Sequence, residues 1–407
     1  MNRLKNYKHT FNSCCVAIAI QAIEINLPPL LFVSLQDEFA ISLTGLTALI
    51  TLTFVVQLLM DALSAKIMDK IGYRTTMIMS HVFVATGAIL LGVLPYVLNP
   101  YTGLVISIII MAMGGCLIEV ITSPIVEAIP NQKEGKLSLL HSFYSFGYLL
   151  TVLITVLYFL IFDRAQWRYL VFAVALIPII NGIFFFFVPC TTLNEQRGES
   201  IGLKGLLKTK TFYLFLILIL CAGAIEQAIS QWVSYFAEKG LNLSKGVGDL
   251  VGPFSFALLM GLGRLFYGLF GYKIRIKRVL PIAGIGCLIC YVIAVVSDSG
   301  LLSLIACALC GLAVSVTWPC TLDAASKNIP QGGTAMFALL ALGGDIGCTL
   351  GPSIVGYVSD ASPLGLKGGI ASASAFALIF LIASLILLKT SKDNNLNLTL
   401  NNKFDEK

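Results

Sequence analysis

Twelve separate apolar runs, each close to the 20 residues a helix needs to cross a bilayer, leave this chain few ways to fold. They fall at 12–34, 43–65, 75–95, 101–125, 137–161, 167–188, 212–236, 247–270, 279–296, 301–321, 334–357 and 368–388. Only 12% of the residues are charged, about half the share of a soluble domain, and the mean hydropathy is +0.89. The expected fold is an all-α integral membrane protein of twelve transmembrane helices. Arg3, Lys5 and Lys8 before the first run mimic a secretory leader, but the run continues through Pro28 and Pro29 without a small-residue cleavage site, so it reads as the first span.

An even number of spans puts both termini on one side. On that side lie 21 of the 27 Lys and Arg residues, against five on the other, with Arg264 inside a helix. Cytoplasmic loops carry such an excess, so the expected location is the cytoplasmic (plasma) membrane with both termini inside. The formal charge of +6 is thus topological, and no basic face is left for nucleic acid.

The most polar internal connection, 189–211, divides the chain into an N-terminal six-helix bundle (1–188) and a C-terminal one (212–388), followed by an Asn- and Lys-rich tail (389–407) whose composition predicts disorder. Internal echoes fit a duplicated, pseudo-symmetric architecture. Gly115 to Pro124 is answered about 196 residues later by Gly311 to Pro319, and Glu24 is answered 202 residues later by Glu226.

Charges left inside the spans point to chemistry. A carboxylate at mid-bilayer costs roughly 2.5 to 3.5 kcal/mol on insertion scales, so one that is retained faces protein or water. Glu119, in Gly114-Gly115-Cys116-Leu117-Ile118-Glu119, is the first candidate, because a carboxyl group in low dielectric can exchange its proton near physiological pH. His141 in the fifth run is a candidate relay. In the seventh run Glu226, Ser230 and Ser234 share a helix face with Gln227 and Gln231 beside them, a polar stripe next to Trp232 that suits a hydroxylated solute. Tyr144 is a further candidate cavity aromatic. Arg264 and Asp345 are the remaining buried charges of the second half and are expected either to pair with each other or to face a cavity separately.

Two cysteine pairs, Cys287/Cys290 and Cys307/Cys310, have a zinc-ribbon outline but lie in apolar runs without a charged second shell, so no metal site is expected. No phosphate-cradling Gly-x-x-x-x-Gly-Lys-Ser/Thr segment exists, and His9, His81 and His141 are far apart, which argues against ATP-driven transport and against a membrane enzyme.

The segment Lys66-Ile67-Met68-Asp69-Lys70-Ile71-Gly72-Tyr73-Arg74 resembles the loop between helices two and three of the major facilitator superfamily. It matches at Asp69, Lys70, Gly72 and Arg74, with Ala65 at the first Gly. Gly114 to Glu119 with Ser123-Pro124, and Leu139 to Gly147, are similar to the fourth and fifth helices of the fucose permease branch, the fucose, galactose and glucose proton symporters. The resemblance implies two six-helix bundles that rock around a midplane solute site. It implies a sugar and proton role for Glu119 and a first-helix acid role for Glu24. His141 stands where that branch has an amide. The expected function is proton symport of a small polar solute, of the monosaccharide class, by alternating access. The expected chain is monomeric, uses no cofactor beyond the proton gradient, and has the bilayer and the solute as partners. The alternative on the same fold is proton-coupled efflux of amphipathic compounds.

Overall fold

The computed structural model describes residues 6–127, 129, 136–190, 202–270, 276–329 and 332–405. Twelve helices in it are long and apolar enough to cross a membrane: α1 Tyr7–Phe39, α2 Leu43–Asp61, α3 Tyr73–Leu91, α4 Pro100–Ser123, α5 Leu139–Ile161, α6 Arg164–Phe187, α7 Lys210–Gly240, α8 Lys245–Tyr267, α9 Arg278–Val296, α10 Gly300–Ala325, α11 Leu339–Ala361 and α12 Leu366–Lys389. The chain is a multi-pass membrane protein. No strand occurs among the described residues.

Within the first half, α3 packs along α4 and α6, and α1 lies against α4 and α5. In the second half α7 packs along α11 and α12, and α9 along α12. Small residues set how closely these pairs approach. A Cβ at Gly351 of α11 would lie 2.8 Å from the Cα and carbonyl carbon of Ala224 in α7, so the two backbones are in direct contact there. Between the halves, α2 meets α11 and α5 meets α8.

Several spans are interrupted. Pro28 and Pro29 lie inside α1, α7 loses its regular helix at Gln231 and Trp232, and α10 loses it at Ser315 and Val316. Transporter sites are commonly built where helices are broken, because freed backbone groups are tolerated only against protein or a wet cavity.

Two sequence expectations change. The segment holding Asp69 and Lys70 is not a loop: the α2 helix continues to Ile71, and only Gly72, at φ +79°, separates it from α3. That left-handed backbone favours glycine, and Arg74 beyond it donates to the Val188 carbonyl at 2.8 Å, tying the turn to the end of α6. The side chains of Asp69 and Lys70 lie outside the described part. The tail predicted to be disordered continues the α12 helix to Asp405, since no Pro or Gly after Lys389 ends it.

Candidate functional site

Polar side chains from both halves converge between the bundles, most of them on helices whose other neighbours are apolar. At the centre of the first-half group, Glu119 of α4 accepts a hydrogen bond at Oε2 from Gln21 of α1 at 2.6 Å, and a second, short one from Gln57 of α2. Three spans thus meet at one carboxyl oxygen. Two amide N–H groups aimed at that oxygen stabilise negative charge on it.

On the facing half, Arg264 of α8 and Glu226 of α7 form an ion pair, Nη2 to Oε2 3.0 Å, with side chains 19% and 8% exposed. Arg264 also reaches across the boundary, with Nη1 3.4 Å from Ser145 Oγ of α5, and its Nε has no hydrogen-bond partner. Next to it, Ser230 of α7 donates to Asn26 Oδ1 of α1 at 3.2 Å, and Asn26 also hydrogen-bonds Tyr144 of α5. Gln231 donates to Gln227 Oε1 at 3.1 Å, so those two amides form one unit on α7.

Asp345 of α11 does not meet Arg264, as a mutual ion pair would require. Its carboxyl group is hydrogen-bonded to that of Asp61 on α2, and Asp61 Oδ1 also accepts from the Cys116 thiol of α4 at 2.8 Å. The reason is rotational: Glu226, on the helix face toward α8, reaches Arg264 first, while α11 turns Asp345 toward the other half.

Three further expectations land elsewhere. Glu24 is 3% exposed and points into the first bundle, where its carboxylate fills the space that a side chain at Gly115 would take. Its Oε1 has no hydrogen-bond partner, and it borders a cavity of about 10 Å³, room for about one water, lined also by Ile20, Val84, Met111 and Pro178. Trp232 is fully buried, donates its indole N–H to the Pro352 carbonyl at 2.8 Å and packs 5.8 Å from the Phe32 and Tyr235 rings, so it ties α7 to α11 and offers no face to a solute. His141 is exposed at the side nearer the termini, with Nε2 3.2 Å from Ser123 Oγ.

Sequence reasoning missed Gln21, Asn26, Gln57, Asp61 and Ser145. Each is a polar residue within an apolar run, a weaker form of the signal that singled out Glu119, and amides, a hydroxyl and an acid four residues short of a run's end were not read that way.

At the face away from the termini, the halves are joined by Arg164–Glu238, by Lys239–Asp37 at 3.0 Å, by Tyr235 donating to Gln36 at 2.7 Å, and by Thr44 donating to Asp360. Lys245 adds a bond to the Leu30 carbonyl at 2.8 Å.

A family model described as Major Facilitator Superfamily matches residues 11–352. No curated protein sequence matches the chain. Among solved structures, a D-xylose–proton symporter superposes with a TM-score of 0.76 at 13% identity, over 93% of this chain and 97% of that one. The xylose transporter XylE from E. coli, in a partially occluded inward-open conformation, gives 0.75 at 14% identity, over 93% and 96%. FucP in the outward conformation gives 0.63 at 18% identity, over 93% and 98%.

Proposed function

The chain belongs to the Major Facilitator Superfamily, a transporter and not an enzyme, and from that premise we propose that it carries a small polar solute of the monosaccharide class together with protons. The observation that carries this reading is the three-span convergence of Gln21 and Gln57 on Glu119. A carboxyl group held by two amides at the boundary between two mobile halves can take up a proton on one side of the membrane and release it on the other. When it is protonated, the amides are freed to bind solute hydroxyls. Asn26, Tyr144, Gln227 and the Arg264–Glu226 pair supply further donors and acceptors at the same level, which suits a hydroxylated solute better than an amphipathic one. Proton symport of a sugar is also what one structural neighbour is described as doing.

The cycle would run as rocking of the two bundles, in a monomer driven by the proton gradient alone, within the cytoplasmic membrane with both termini inside. Contacts across the face away from the termini, and the exposure of His141 on the other, support an inward-facing arrangement. His141 then lies on the proton's exit route beside Ser123.

The test is uptake by proteoliposomes under an imposed pH gradient, screened against sugars and polyols. A two-unit gradient sustains up to about a hundredfold accumulation for one proton per solute, one factor of ten per unit. Glu119→Gln is expected to remove accumulation while leaving solute exchange, and undiminished accumulation by that variant would overturn the assignment.

A further inference from the structure

Five cations lie at the face away from the termini, and protein oxygens account for four of them. Arg164 is held by Glu238, Lys239 by Asp37, Lys245 by Asp249 and the Leu30 carbonyl, and Lys367 by the Ser297 carbonyl. Arg168, near the start of α6, makes no ion pair or hydrogen bond among the described residues. Its guanidinium carbon lies instead 4.4 Å from the centre of the Tyr96 ring, 5.7 Å from that of Phe172 and 6.0 Å from that of Tyr169. Ring faces attract the charge, but they offer no acceptor oxygen to its five N–H groups. Only Nε is enclosed, so the two terminal nitrogens reach the surface without a partner.

The nearby acids are engaged elsewhere. Glu38 accepts the Tyr96 hydroxyl on one oxygen and the Trp167 indole N–H on the other, both at 2.6 Å, and Asp163 caps the start of α6 through the Ala165 N–H at 2.8 Å. The helix itself opposes a cation here, because the first turn from Trp167 carries partial positive charge and holds no acid. An anion from outside the chain would offset both charges. The depth of Arg168 decides which anion. It stands four residues into a span that starts at Arg164, at the level where tyrosines gather at a membrane surface, and Tyr96 and Tyr169 are 41% and 59% exposed. From Tyr169, the exposed side chains of Leu176, Ile180 and Ile183 continue down one face of α6 toward the bilayer centre. A guanidinium above an apolar strip at that level matches a phosphate with acyl chains beneath it.

We propose that Arg168 binds the phosphate of a membrane phospholipid in the leaflet away from the termini. The guanidinium fork donates two N–H groups to phosphate oxygens, and an acyl chain lies along the exposed strip of α6. The bound headgroup joins the turn that carries Tyr96 to the start of α6 and so fixes the depth of the first half in the bilayer. Every residue of the site belongs to that half, so the site stands or falls apart from the symport reading.

Photo-crosslinking tests it. In the full chain p-benzoylphenylalanine replaces Tyr169, an aromatic for an aromatic, and in a second protein it replaces Val296, 73% exposed at the end of α9 on the same face and next to the Ser297 carbonyl that holds Lys367. Both proteins are placed in nanodiscs of equal parts phosphatidylglycerol and diglucosyl diacylglycerol, which share acyl chains but not the phosphate. After irradiation the lipid adducts are identified by mass. The phospholipid-to-glycolipid ratio at position 169 is expected to exceed that at 296 by about tenfold, the scale of one charge-assisted contact. Arg168→Gln should bring it down to the level of 296, and Arg168→Lys, which keeps the charge without the fork, should fall between. Equal ratios at the two positions overturn the site, as does a ratio at 169 that Arg168→Gln leaves unchanged. The comparison of the two positions needs no change at Arg168, so it decides the matter even where a variant fails to fold. Lys367→Gln removes a like charge that already has its partner and is expected to leave the ratio at 169 as it was; a fall equal to that of Arg168→Gln would reduce the effect to general attraction and overturn the site.

Discussion

The Arg264–Glu226 pair offers a quantitative test, because its surroundings decide which of two magnitudes applies. An exposed ion pair contributes about 0 to 1 kcal/mol. Removing one partner of a buried pair costs about 3 to 5 kcal/mol, since the other charge is left without compensation. With side chains 19% and 8% exposed and a 3.0 Å separation, the pair belongs near the second case. Among the described residues, Arg264 without Glu226 would keep the long hydrogen bond to Ser145, and Glu226 without Arg264 would be left beside Tyr144, Tyr148 and Cys348, none of them a cation. Glu226→Gln and Arg264→Gln should therefore each cost about 3 kcal/mol, while the double variant, with two neutral amides able to hydrogen-bond each other, recovers about 2 kcal/mol of the summed loss. At about 2.1 cal/mol/K per residue over 407 residues, 3 kcal/mol lowers the melting temperature by roughly 3 to 4 °C. Melting curves of the purified protein and the three variants, in one detergent and at one pH, measure this. Strictly additive losses in the double variant would refute the claim that these charges are held as a pair.

Other perturbations read other parts of the structure. Gly351→Ala drives a methyl group into the Ala224 carbonyl oxygen, with the Ala224 Cα and carbonyl carbon 2.8 Å away, and should cost about 1 to 3 kcal/mol, whereas at Gly246 the nearest atom to a new Cβ is 3.9 Å away, so Gly246→Ala should melt within a degree or two of the parent. Trp232→Phe loses the bond to the Pro352 carbonyl, which should lower stability by about 1 kcal/mol and leave the solute KM unchanged in uptake assays, because the ring is walled off. Tyr96, in the turn after α3, donates to Glu38, and burial followed by the Glu38 carboxylate pushes its phenol above the ordinary range. A group raised on folding contributes stability that is present below its unfolded pKa and lost as pH climbs past it, so from about pH 10 upward the parent should lose stability faster than Tyr96→Phe in alkaline melting curves.

The twelve spans and the two halves were legible because hydrophobic length is a local property that a single chain displays. Glu119 and Arg264 were legible for the complementary reason, that charge in an apolar run is conspicuous. Partners were not. Nothing in the spacing of Arg264 and Asp345 tells which acid the guanidinium meets, because that depends on the rotation of α7, α8 and α11 about their axes. Asp61 escaped notice near the end of its run, where an acid reads as the start of a polar connection; the helix in fact continues to Ile71 and carries it within the packed region. Trp232 drew attention as an indole beside amides, and only the break in α7 shows that its N–H is spent on α11.

The placement of α1 bears on how such a molecule is made. It leaves the ribosome ahead of the other eleven described spans, and it is also the most enclosed of the twelve, with 89% of its apolar window buried in the finished protein. It carries Gln21, Glu24 and Asn26, and Asn26 finds Ser230 only after another 204 residues have been synthesised. Early in assembly those polar groups must wait at the insertion machinery or beside lipid. A chain halted after six spans would leave Asn26 without its Ser230 donor, so the polar contacts of α1 are completed only by the second bundle.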